Sequence, residues 1–180
     1  MIRAPLSSLA LLIAGAVGLA RADVVDVTPG GFTVRHEVTV NATPDKAYAA
    51  FVDVGSWWNM DHSYSKDPKS ISIDARAGGC FCEKMPNGGG VQHMSVVFAL
   101  PGNTLRMTGG LGPLQSSGAS GSLTLRFIGA GSATRVEMTY AVGGYMQGGL
   151  DKVAAPVNAV LTEQLQRFKS YVDTGKSTAS

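Results

Sequence analysis

Like charge never gathers in this sequence. Only 16% of its 180 residues are charged, 15 basic against 13 acidic, and no block of Lys and Arg offers the electrostatic footprint that nucleic acid or an anionic membrane surface requires. Long apolar runs are missing too: residues 6–19 fall short of the ~18–20 apolar residues of a membrane-spanning helix. The glycines, though numerous, nowhere form G-x-G-x-x-G between a strand and a helix, which excludes the common dinucleotide-binding turn. No Ser, His and acid fall into a recognisable nucleophile setting, and no segment of about 20–50 residues repeats. Cysteine is limited to Cys80 and Cys82, and histidine to His36, His62 and His93. The C-x-C spacing is not the C-x-x-C of common zinc knuckles.

What is present begins with a leader pattern. Arg3 gives a positive start, the apolar run follows, and Ala20-Arg21-Ala22 fits the small-x-small cleavage rule, so residues 1–22 read as a secretory signal peptide cut after Ala22. A periplasmic or secreted location is the expectation. The cut removes two arginines and no acid, leaving a formally neutral chain of roughly 158 residues, enough for one domain with a buried core. Residues 23–31 read as an N-terminal linker, 32–174 as the domain and 175–180 as a small, polar, disordered tail. In an oxidising compartment a cysteine pair is normally a staple. Here the two positions are i and i+2 of a strand, with Cα atoms near the ~7 Å limit for a bridge, so a disulfide needs a local kink and is not counted on.

Along the domain, residues 32–40 alternate as a half-buried strand, with Val34, His36, Val38 and Val40 on one face. Thr43-Pro44-Asp45 supplies a capping hydroxyl, Pro at the first helical position and an early acid, predicting a helix over 44–53 that Gly55 stops. Ser56-Trp57-Trp58-Asn59 begins another turn or short helix, and 60–69 is polar and loop-like. Strands are expected at 71–73, 80–85, 91–100, 105–108, 123–128 and 136–142, separated by Gly, Pro and Asn turns. Residues 109–121 read as a mobile glycine-rich rim loop, with Leu111, Leu114 and Gln115 at its centre, and 143–149 as a glycine-rich hinge.

The last element dominates. From 150 to 172, Leu150, Val153, Ala154, Val157, Leu161, Leu165, Phe168 and Val172 recur at three- and four-residue steps and so share one stripe of a helix. Pro156 lies within this span: it kinks a helix that begins before it, or sits in the first turn of one that begins at 154 or 155. An α+β fold follows, with a curved antiparallel sheet of about seven strands wrapped around the long helix and two short helices after the first strand.

This order, with Thr43-Pro44-Asp45-Lys46-Ala47-Tyr48, the Trp57-Trp58 pair, Asp74-Ala75-Arg76-Ala77-Gly78-Gly79 and the 131–136 turn, resembles the helix-grip, START-like (SRPBCC) superfamily. That superfamily includes the birch pollen allergen, polyketide cyclases/dehydrases and chaperone ATPase activators, and the chain looks most like its exported bacterial members. The resemblance covers nearly all of 32–172 and implies the fold. It does not choose among carriers, receptors, cyclases and chaperone cofactors.

A cavity between sheet and helix is the expected site, lined by His36, Trp57, Trp58, Met107, Phe127, Met138, Tyr140, Val157 and Leu161. If the 80–95 hairpin turns about Asn87-Gly88, Cys82 faces His93, Cys80 faces Ser95, and Cys80, Cys82 and His93 share a face. With His62 they would then form a zinc, copper or redox site; plain packing is the other reading, and the expectation is no cofactor. Glu83 reads as solvated or paired with an arginine. The function expected is binding of a small hydrophobic or amphipathic molecule, with no nucleic acid and no membrane insertion after cleavage. The alternatives are a cyclase or dehydratase using His36, His93 or Tyr140, with no catalytic residue assigned, and a metal- or redox-linked envelope protein.

Overall fold

The computed structural model describes residues 21–177; the leader assigned to 1–22 lies outside them except for its last two residues. Hairpin β1 (Arg21–Thr28) and β2 (Gly31–Val40) is followed by α1 (Pro44–Val52) and 3-10 turns at Val54–Ser56 and Met60–His62. Then come β3 (Ile71–Ile73), β4 (Cys80–Lys84), β5 (Gly90–Leu100), β6 (Thr104–Gly109), β7 (Gly118–Ala130), β8 (Ala133–Tyr145) and α2 (Asp151–Thr174). One antiparallel sheet runs β1-β2-β8-β7-β6-β5-β4-β3. The short helices carry the chain from β2 to the far edge, and hairpins bring it back strand by strand until β8 pairs with β2.

Residues 23–31, expected as a linker, are therefore largely strand. Val24 pairs with Val34 and Val27 with Phe32, with a register shift between Val24 and Asp26. That irregularity breaks the period-2 signal, and Val24, Val25 and Val27 on this edge remain exposed, so neither alternation nor a burial pattern marks the strand. The glycine-rich segments are also more ordered than expected. Gly118 to Gly121 already belong to β7, and Gly143, Gly144 and Tyr145 pair with Ser120, Ala119 and Gly118. Leu114, inside the expected rim loop, is fully buried in a 3-10 turn.

The sheet buries its concave face through alternation: Phe32, Val34, His36, Val38 and Val40 from β2, Leu123, Leu125 and Phe127 from β7, Val136, Met138 and Tyr140 from β8. Against it α2 lays Ala154, Val157, Leu161, Leu165 and Phe168; each fully buried large apolar side chain contributes about 1.5–3 kcal/mol. Phe51, Trp57 and Phe168 form an aromatic knot with ring centroids 5.1–5.4 Å apart, and the Trp57 indole N–H donates to Ala50 O at 3.0 Å. This knot pins α1 on the C-terminal half of α2.

Gly175 closes α2 in the left-handed conformation, its N–H donating to Tyr171 O. Pro156 is the sixth residue of the helix, so the helix begins before it, and the Lys152 carbonyl lacks its usual i+4 donor. Thr43 occupies the N-cap of α1 with Pro44 in the first turn, but its hydroxyl makes no capping bond. Asp45 is the acid that complements the positive end of that helix. Among the described residues no helix is long and apolar enough to cross a membrane.

Candidate functional site

The site grows from a bulge. Cys80 pairs with Ser95 and Phe81 with Met94, but Cys82 pairs with Gln92 and Glu83 with Val91. His93 is thus an extra residue on β5, and both it and Met94 are buried. Bulges re-aim side chains in this way. The continuous register expected from the sequence holds only as far as Phe81. Beyond it, His93 turns to the concave face while Cys80 and Cys82 stay on the opposite one, where they form a disulfide with Cα atoms 5.4 Å apart. The cysteines are thus bridged, and the shift between Phe81 and Cys82 is where the kink lies. The grouping of Cys80, Cys82, His93 and His62 is not assembled, and among the described residues no set of three or more His, Cys, Asp or Glu is arranged to hold a metal ion.

On the concave face His93 meets Glu83. Their Nε2 and Oε2 atoms are 3.1 Å apart, and both side chains are buried. Glu83, expected to be solvated or arginine-paired, instead accepts from the backbone N–H groups of Tyr64 (3.1 Å) and Ser65 as well as from His93. Burial pushes its carboxyl pKa up, but hydrogen bonds from Ser65, Tyr64 and His93 outweigh it and hold the group below the usual range. Burial lowers the His93 pKa, partly opposed by Glu83. The neutral imidazole stacks on Phe81 at 4.8 Å and faces Tyr64 at 6.0 Å.

A cleft of about 160 Å³ opens beside this pair. Trp58, His62, Tyr64 and His93 form one wall, Leu111, Gly112 and Pro113 the rim, and Val153, Pro156, Val157, Val160 and Leu161 of α2 the other wall. Several polar groups here are already engaged: the Trp58 N–H donates to His62 O, Tyr64 O–H to Gln115 Oε1, and His62 Nε2 lies 3.2 Å from Glu163 Oε2. The rim is held by Tyr140, whose hydroxyl donates to Gly109 O at 3.0 Å and accepts from Leu111 N at 3.3 Å. Burial raises the Tyr140 pKa to about 12.

Of the residues expected to line a cavity, Trp58, Val157 and Leu161 do so. Trp57, Met107, Phe127, Met138 and Tyr140 are packed in the core, where the remaining space near Gln164 is about 20 Å³. His36 is buried under α2, its Nδ1 3.4 Å from Thr162 Oγ1 and its Nε2 without a partner; burial lowers its pKa to about 4. His62 and His93, considered as metal ligands, are cleft residues. Sequence reasoning did not single out Tyr64 or Val160, and it placed Val153 on the apolar stripe of the helix without assigning it to the site. For Glu83 a signal existed: it stands two residues from Phe81 on β4, and strand alternation puts both on one face.

A sequence profile for polyketide cyclase/dehydrase and lipid transport proteins matches residues 31–173. No curated protein sequence matches the chain significantly. Among solved structures, the Aha1 dimer from Colwellia psychrerythraea aligns with a TM-score of 0.57 at 19% identity, covering 80% of this chain and 98% of that one. Ara h 8.0201 aligns with a TM-score of 0.55 at 18% identity, covering 79% and 98%. DynU16, described as a putative protein in the dynemicin biosynthetic locus, gives 0.55 at 19%, covering 82% of this chain and 49% of that one. At such identities these likenesses speak to the helix-grip fold. The profile spans most of the domain, and the chain belongs to the polyketide cyclase/dehydrase and lipid transport family of the START-like superfamily.

Proposed function

We propose that the protein is an exported binding protein for a small, mainly apolar molecule, held in the cleft between the N-terminal half of α2 and the Trp58–Tyr64 wall. The observation that carries this reading is the cleft itself. Its lining is apolar apart from a few polar groups, as small-molecule sites are, and its ~160 Å³ compares with the roughly 150 Å³ apolar cavity that takes up benzene. Export is supported by the leader pattern and by the Cys80–Cys82 disulfide, a bond that persists in oxidising compartments.

Native mass spectrometry of protein recovered from the exported compartment tests both parts. The expected result is a chain beginning at Asp23 that carries a discrete organic adduct, with the adduct absent from Val160→Trp, which fills the cleft. An apolar ligand library that leaves the melting temperature unchanged overturns the binding reading. A chain that retains residues 1–22 overturns export.

The Glu83–His93 pair favours a second reading, in which a neutral His93 takes a proton from a bound carbonyl compound. Tyr140 has both its hydroxyl interactions inside the fold and His36 lies outside the cleft lining, so of the three residues expected for such chemistry His93 is the one placed to serve. Turnover that persists in His93→Phe counts against it.

A further inference from the structure

Glu83 decides which nitrogen of His93 faces the ligand. A carboxylate only accepts hydrogen bonds, and this one already takes two backbone N–H groups. The 3.1 Å contact therefore requires that His93 Nε2 carry the proton and donate. In a neutral imidazole the other nitrogen, Nδ1, is then a bare acceptor. Among the described residues no protein group bonds to it, and it is not one of the sealed polar atoms that lack a partner. His93 borders the cleft, so this acceptor is presented to whatever lies there. The nearby donors on Trp58 and Tyr64 are spent on protein oxygens.

We infer that the cleft selects an apolar molecule bearing one neutral hydroxyl, a phenol or an alcohol, whose O–H donates to His93 Nδ1. This rests on the binding reading above and adds the ligand's polar group to it. Carboxylates are disfavoured, because an anion here meets an acceptor with the Glu83 carboxylate behind it and the Glu163 carboxylate beside His62. Purely apolar molecules leave Nδ1 dehydrated and unpaired.

Three probes of similar body separate these cases: 1-naphthol, 1-methylnaphthalene and 1-naphthoate, titrated calorimetrically at neutral pH. The expected order is 1-naphthol about tenfold tighter than 1-methylnaphthalene, the equivalent of one well-made hydrogen bond, with 1-naphthoate weakest. His93→Phe is expected to retain 1-methylnaphthalene and lose the preference. Nitrogen-15 NMR of the wild-type imidazole supplies a readout that needs no variant: an Nε2–H tautomer whose Nδ1 resonance moves on adding 1-naphthol. Equal affinities for 1-naphthol and 1-methylnaphthalene, tighter binding of 1-naphthoate, or an Nδ1–H tautomer each overturn the inference while leaving apolar binding standing. If none of the three binds, the binding reading falls and takes this inference with it.

Discussion

His93 Nε2 stands 3.1 Å from Glu83 Oε2 although β4 and β5 do not pair these two residues with one another. Without the extra residue in β5, His93 would face away from the core and Glu83 would be a buried carboxylate with only backbone donors. The bulge thus creates a buried, neutral-histidine and carboxylate pair at the cleft wall.

That pair is expected to be costly to break from the glutamate side. Glu83→Leu leaves the Tyr64 and Ser65 N–H groups and the imidazole N–H without acceptors, at about 3 kcal/mol. Glu83→Gln keeps an acceptor oxygen and is expected to lose about 1 kcal/mol. Urea unfolding midpoints at unchanged slope measure both; equal losses would mean that the carboxylate's hydrogen bonds are not what holds Tyr64 and Ser65.

Acid is expected to weaken the fold before the carboxylates titrate. His36 has its pKa lowered from 6.5 to about 4, and that of His93 is also lowered. The unfolded chain therefore binds protons below pH 6.5 that the native chain refuses, and stability falls as pH drops from 6.5 toward 4. For His36 the loss is about 3 kcal/mol across that window. Comparing unfolding free energies at pH 7.5 and 4.5 checks the sign, and His36→Gln should flatten the dependence.

Gly109 faces the bulge. A Cβ there would stand 2.5 Å from the His93 carbonyl oxygen and 2.9 Å from Met94 Cα, both backbone atoms that cannot swing aside. Gly109→Ala is expected to cost about 1–3 kcal/mol and to shift the His93 imidazole resonances. An unperturbed His93 spectrum would refute the close approach.

The Cys80–Cys82 bridge closes a very short loop, so it constrains the unfolded chain little. Replacing both cysteines by serine is expected to cost no more than about 1–2 kcal/mol, and the intact protein should weigh two mass units less than its reduced form. A Cys80→Ser/Cys82→Ser variant that fails to fold would show that the bridge governs the β4–β5 register and not merely chain entropy.

Much of the fold is local pattern. The stripe from Leu150 to Phe168 and the alternation in β2, β7 and β8 follow from the periods of helix and strand, which any chain must obey to bury an apolar face. β1 was not legible, because its irregular pairing hides the period and its valines stay exposed. Trp57 and Trp58 are adjacent and chemically identical; only packing sends the first into the knot with Phe51 and Phe168 and the second to the cleft.

By itself the sequence determined the order of elements from β2 onward, the apolar faces and the gripping helix, since these depend on spacing within single segments. The tertiary structure alone decided that the grip interior is filled and that the open cleft lies by the N-terminal half of α2. It also decided that His93 joins Glu83 rather than the cysteines. Strand register is the reason: one added residue on β5 reverses which face a side chain occupies, and pairing between strands, not composition within them, determines where that residue falls.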